Sequence, residues 1–351
     1  MRNGLLHIIW NLSHTLKEDS MRTLIMLVFV IPLLTACGGS NDASTHAITG
    51  GGIKGPLVNA IVTVYALDAT QSGFKGAVIA TGTTDAQAAI ADVNLPLPLT
   101  PPYIMEFTSS IDTIDLTTGQ YPVVATFSTV ITQTLIDSGK PIYATPLTQM
   151  AVAIAIDNST SATSTDDFLV NLAAAAHQVV ETVGFGMSPT IDIFTTSAVL
   201  DNSVDTPQKQ SDTLAYRTAI EALVAVAFAM EADGSISGTA ETIINELAKD
   251  LSDGVIDASI NGTVSTLYDS PALTLFTQDP TTLPIPNASN AVTVADVKDI
   301  LLAETTALGS TVSTPELNDG SITSVVTPAR ITAANRAVWN SFSWNDGSVW
   351  Q

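Results

Sequence analysis

The chain has one cysteine, four histidines and 12 Lys and Arg in 351 residues. The single thiol, Cys37, has no partner within the chain, so no intramolecular disulfide braces the fold and no cysteine-based zinc site forms. Stability must come from the hydrophobic core alone. Against the few basic residues stand 34 Asp and Glu, a formal charge of −22. That balance excludes nucleic acid, whose phosphates require a basic face, and electrostatic docking on anionic lipid. Aromatics are 6% of the chain, which leaves little material for sugar-stacking platforms, and the apolar run near the N-terminus, Thr23 to Leu33, has 11 residues. A bilayer span needs about 20. Catalytic motifs are missing as well. No G-x-S-x-G elbow occurs. The two histidines beyond residue 36 are His46, in a small-polar stretch, and His177, on the helical face opposite Phe168 and so expected in water. No catalytic residue, metal ligand or cofactor site is expected from these patterns.

The first 40 residues are the most informative. Met21-Arg22 is a short basic start, the apolar run follows, and Leu34-Thr35-Ala36-Cys37 comes next, trailed by Gly38-Gly39-Ser40. Positive start, short apolar stretch and small residues form an export signal. Leu34, Thr35, Ala36 and Cys37 resemble the lipobox of bacterial lipoproteins. The resemblance implies cleavage before Cys37, acylation of its thiol by diacylglycerol, and a membrane partner held through that lipid. Gly38 stands where an aspartate marks inner-membrane retention, so the same resemblance implies the outer membrane. Residues 1–36 are thus read as the signal peptide, with 1–20 as a misassigned start or extension. Taking away Arg2, Lys17, Arg22, Glu18 and Asp19 leaves 9 basic and 32 acidic residues in 37–351, a charge of −23. A charge so far from zero keeps a secreted surface soluble.

Residues 37–46 read as a lipidated tether of small polar residues. From 47 to 139 the pattern is β. Ile61-Val62-Thr63-Val64-Tyr65, Val78 to Thr83, Tyr103 to Ser109 and Pro122 to Ile131 are short β-prone runs separated by Gly, Pro and Asp turns. Such spacing predicts a sandwich. Gly52-Ile-Lys-Gly55-Pro56-Leu-Val-Asn59-Ala60-Ile-Val-Thr-Val-Tyr65, followed by Thr83-Thr84-Asp85-Ala86, resembles the opening of a carboxypeptidase regulatory-like (prealbumin-like, Ig-type) domain. Ala88 departs from that pattern where the family's glycine usually stands, and Ile53 where valine is frequent. The resemblance covers about 85 residues and implies a structural or binding module with no active site of its own.

Residues 140–309 change period. Thr145-Pro146-Leu147 opens a helix with proline in its first turn. Ser164-x-x-Asp167 is a capping box ahead of Phe168, Leu172, Ala175, Ala176, Val179 and Val183, one helical face ended by Gly184. Asp212 to Met230 is apolar nearly all round, as a central helix is. Ala240 to Leu251 shows a clean stripe, and Thr293-x-x-Asp296 caps a further helix reaching Leu308. A helical bundle is expected here, with a domain boundary in the turn-rich step 137–141. In 310–351, Asn318-Asp-Gly-Ser-Ile322 and Asn345-Asp-Gly-Ser-Val349 repeat a hairpin-type turn, and Trp339, Trp344 and Trp350 cluster. The fold class expected is therefore α+β and multidomain: a sandwich, an all-α bundle and a short hairpin-like tail.

Two acidic stretches complete the reading. Asp233 to Glu241 spaces oxygen side chains like a calcium loop, but Ile244 occupies the twelfth place, where a bidentate glutamate is needed. Asp250, Asp253 and Asp257 read as an exposed acidic cap on a helix end. The function expected is that of a membrane-anchored lipoprotein, an outer-membrane binding or structural module and not an enzyme, with a protein or carbohydrate partner left unspecified. The alternative is a secreted carboxylate-dependent glycoside hydrolase, for which a pair of carboxyls is required.

Overall fold

The computed structural model describes residues 44–232, 238–269, 271–288 and 291–331. Strands dominate the first part: β1 (Thr45–Ala47), β2 (Gly50–Gly52), β3 (Leu57–Val58), β4 (Ile61–Leu67), β5 (Lys75–Thr84), β6 (Ile90–Ala91), β7 (Asn94–Pro96), β8 (Tyr103–Thr108), β9 (Ile114–Asp115), β10 (Thr126–Ile131) and β11 (Ile142–Ala144). Five of them make one antiparallel sheet in the order β10-β8-β4-β5-β6. Short ladders join β1 to β7, β3 to β9 and β2 to β11. Alternation decides which face is covered. Val62 sits opposite Phe107, and Phe107 opposite Phe127; Val64 sits opposite Met105. All five are withdrawn from water, while Ile61 on the other face is exposed.

Helices follow: α1 (Gln133–Ser138), α2 (Pro146–Asp157), α3 (Thr165–Val183), α4 (Pro207–Ala232), α5 (Ala240–Leu251), α6 (Val297–Ala307) and α7 (Pro315–Asn318). Their starts are written in their caps. Thr145 takes the N–H of Thr148 on its hydroxyl, and Thr148 returns the favour to the Thr145 N–H, with Pro146 at the first helical place. Ser164 and Thr239 cap α3 and α5 by accepting the N–H groups of Asp167 and Thr242 on their hydroxyls. α4 is long and apolar enough to cross a membrane by composition, but 83% of its most apolar window is buried within the protein. It is the central core helix.

The chain is thus a mixed α and β protein, strand-rich first and helical later. Packing runs across the step at 137–141. β11 lies beyond it and pairs in parallel with β2, Ile142 to Gly50 and Ala144 to Gly52. Gly50 permits that pairing, because a Cβ there would fall 1.8 Å from the Ile142 carbonyl oxygen. α2 then seats on β10, where the Thr148 hydroxyl donates to the Ser128 carbonyl and Ser128 Oγ donates to Gln149 Oε1. Phe74 at the β4–β5 turn meets Phe168 of α3 at 5.6 Å between ring centres.

One expectation about the tail is corrected. Residues 318–322 do not form a hairpin: Asn318 closes α7, Gly320 takes a left-handed conformation, and the Ile322 N–H returns to the Glu316 carbonyl. Asp-Gly here ends a helix, the other use of a left-handed residue. The second copy, 345–349, and Trp339, Trp344 and Trp350 lie outside the described residues.

Candidate functional site

Two features concentrate chemistry in the described residues: a sealed cluster of charges and an apolar groove. The cluster is assembled from four distant places. Lys54 follows β2, Asp115 ends β9, Arg217 and Glu221 sit one turn apart on α4, and Glu304 lies on α6. Lys54, Arg217 and Glu221 are fully buried, Asp115 is 1% exposed and Glu304 5%. Arg217 grips Glu304 with both ends of its fork, at 2.9 and 2.8 Å, and donates through Nε to Glu221 Oε1 at 3.0 Å. Thr117 closes the ring, accepting from Arg217 Nη2 and donating to Glu304 Oε1, both at 2.7 Å. Lys54 Nζ stands 3.3 Å from Asp115 Oδ2 and 3.3 Å from Glu221 Oε2.

Gly55 makes room for this arrangement. A Cβ at that position would lie 1.9 Å from Thr117 Oγ1 and 2.0 Å from Asp115 Oδ1. Burial alone would weaken the hold of both cations on their protons. Glu221 and Asp115 outweigh it at Lys54, and Glu304 and Glu221 outweigh it at Arg217, so both are raised above their ordinary values. No sugar or peptide reaches carboxyls so fully enclosed.

The groove runs along α3. Leu169, Leu172 and Ala173 form one wall, Val130 and Leu135 another, and Ile191 and Phe194 a third, enclosing about 450 Å³. His177, Asp192 and the threonines at 132, 134, 190 and 195 complete the lining. His177 is more than half exposed, with Nδ1 3.4 Å from Glu181 Oε2. The Asp192 carboxylate is occupied locally, accepting the Phe194 N–H at 2.9 Å and the Thr195 hydroxyl at 3.0 Å. The arrangement suits an apolar ligand better than a proton-transfer reaction, which needs a carboxyl or imidazole aimed at the substrate.

The residues singled out from sequence fare differently. Leu34, Thr35, Ala36 and Cys37 lie outside the described residues. So do Asp233 to Ser237 of the calcium-like loop; Thr239 caps α5, and Glu241 Oε2 accepts the Ala125 N–H at 2.8 Å. Asp250 corrects the reading of an exposed acidic cap. It is fully buried and accepts from the N–H groups of Asp257, Ala258 and Ser259 and from the Tyr268 hydroxyl. Burial raises its carboxyl above the usual range, opposed by those four hydrogen bonds. The charge cluster is what sequence reasoning missed. Its one legible trace is Arg217 and Glu221, the only charged pair within the apolar stretch of α4, at i and i+4.

No family model, no curated protein and no solved structure matches the chain.

Proposed function

We propose that the chain is an outer-membrane lipoprotein, acylated at Cys37, whose exported body is a binding or structural module and not an enzyme. The observation that carries this reading is the ordered series Met21-Arg22, an 11-residue apolar run, and Leu34-Thr35-Ala36-Cys37 as the chain's sole cysteine. In the reading, residues 37–46 tether the body and lipid supplies the anchoring that a strongly acidic surface does not. The strand-rich part is a carboxypeptidase regulatory-like sandwich, and the helices are a bundle built on α4. Support for the sandwich comes from Ala88, which adopts a left-handed φ of 57° where that family usually has glycine, in a turn whose Asp85 carboxylate accepts the N–H groups of Gln87 and Ala89. Support for binding comes from the α3 groove, whose apolar walls lie open at the surface.

Metabolic labelling with palmitate tests the anchor. Label is expected in the wild-type chain and absent from Cys37→Ser. Equal labelling of the two, or wild type without label, would overturn the reading.

A further inference from the structure

We propose that the side chains of Lys54 and Asp115 condense into an isopeptide bond, with Glu221 relaying the protons, so that the strand region carries an internal covalent cross-link.

The geometry places the three groups as this reaction requires. Nζ of Lys54 lies 3.3 Å from Asp115 Oδ2 and 3.3 Å from Glu221 Oε2, beside both the carboxyl it would attack and the carboxylate that would take its proton. Nζ makes no hydrogen bond of ordinary geometry with either carboxylate. An ammonium has three protons to place, and a wholly buried one kept only as an ion pair would be expected to find well-angled partners. Asp115 is held from behind: its Oδ1 accepts the Thr117 N–H at 2.8 Å, which leaves Oδ2 turned to the amine. Gly55 lets that carboxyl seat against the backbone next to Lys54. Arg217 fixes Glu221 through Oε1, leaving Oε2 for Lys54.

The chemistry balances without any co-reactant. Lys54 gives a proton to Glu221, which passes it to Asp115 Oδ2, and the freed lone pair attacks Cγ of the now neutral carboxyl. The Nζ–Cγ bond forms, Glu221 takes a second proton from the nitrogen and hands it to the same oxygen, and the Cγ–Oδ2 bond breaks as water leaves. Of the three ammonium protons one stays on the amide nitrogen and two leave as water. Nothing is oxidised or reduced. Dryness favours the product, because two charges taken out of water are costly and the amide carries neither. Glu221 and Glu304 retain Arg217 as their cation.

Mass spectrometry of the full-length chain, recovered from membranes, denatured and digested, decides the matter. The expected result is a branched peptide joining the Lys54 and Asp115 segments, lighter than the two linear peptides together by one water, with no tryptic cut after Lys54. Asp115→Asn is expected to form the same bond with loss of ammonia. Lys54→Arg is expected to give linear peptides alone, and Glu221→Gln to lose the branched peptide while Asp115 and Lys54 remain. A wild-type chain cut cleanly after Lys54, with Asp115 in a linear peptide of unaltered mass, would overturn the cross-link, and that measurement stands even where a variant fails to fold. A branched peptide persisting in Glu221→Gln would overturn the relay.

Discussion

Arg217 has no contact with solvent and satisfies its guanidinium wholly on Glu221, Glu304 and Thr117. Its removal would strand two carboxylates in the interior, and breaking a buried pair from one side costs about 3–5 kcal/mol. Arg217→Met, close in volume but uncharged, is therefore expected to lower the unfolding free energy by about that amount, read as a fall in the urea midpoint at unchanged slope. A loss below about 1 kcal/mol would place the residue among surface ion pairs, contrary to its burial. The surface pair Lys209 and Asp205, both more than half exposed, supplies the contrast: its removal is expected to be nearly silent. Side-chain chemistry alone does not separate these two pairs. Both are i,i+4 contacts, but Arg217 and Glu221 are buried inside α4 whereas Asp205 stands in water ahead of it, and burial sets their weight.

At the level of elements, starts were legible and partners were not. The caps at Thr145, Ser164 and Thr293 announce their helices because a cap is local: donor and acceptor lie within three residues. α4 was legible because an apolar surface all round has no face left for water. The β2–β11 ladder was not, since three glycines and Ile-Tyr-Ala carry no alternation and pair across some ninety positions. Nor was α1, a helix of one and a half turns in a stretch that reads as strand and turn. The charge cluster was illegible for the same reason as the ladder: Lys54, Asp115, Arg217 and Glu304 share no spacing, and only the fold brings them together. Asp250 reads as surface until Tyr268 and the loop after α5 close over it. The caps also support a graded prediction. Thr145 is buried and shares its hydroxyl with Tyr216 at 2.8 Å, whereas Ser164 caps in water. Thr145→Ala is expected to cost about 1–2 kcal/mol and Ser164→Ala about 0.5–1, measured by thermal unfolding. The reverse order would mean that the cap at Thr145 is dispensable to α2.

On the scale of the whole molecule, the question is whether the strand-rich and helical parts stand alone. From Thr45 onward the described residues pack as one compact unit. One hydrophobic cluster extends from Ile53, Val62 and Phe107 through Val130 and Leu147 to Leu223 and Leu301 without a break at 139. Three further ties cross the same place. β2 takes its partner β11 from the far side. Lys54, paired with Asp115, meets Glu221 of α4. Thr117 meets Arg217 and Glu304. A fragment of residues 44–139 would lose all three. It would bare β2 and β10 as unpaired or uncovered strands, which invite association with other chains, and would open the apolar surfaces of Val130 and Ile131 to water. A fragment of residues 140–351 would keep Arg217, Glu221 and Glu304 but lose Lys54 beside Glu221 Oε2 and the Thr117 hydroxyl that joins Arg217 to Glu304, opening the cluster to water. The turn-rich step at 137–141 thus marks a change of local pattern, while long-range packing sets cooperativity. The intact body is expected to unfold in a single transition by far-ultraviolet circular dichroism and by the near-ultraviolet signal of its buried tyrosines, Tyr103, Tyr143, Tyr216 and Tyr268, alike. Each fragment is expected to be unfolded or aggregated alone, and to regain structure when the two are mixed. Two soluble fragments that each melt cooperatively would show instead that every part carries its own core, and that the charges shared between them contribute nothing to folding.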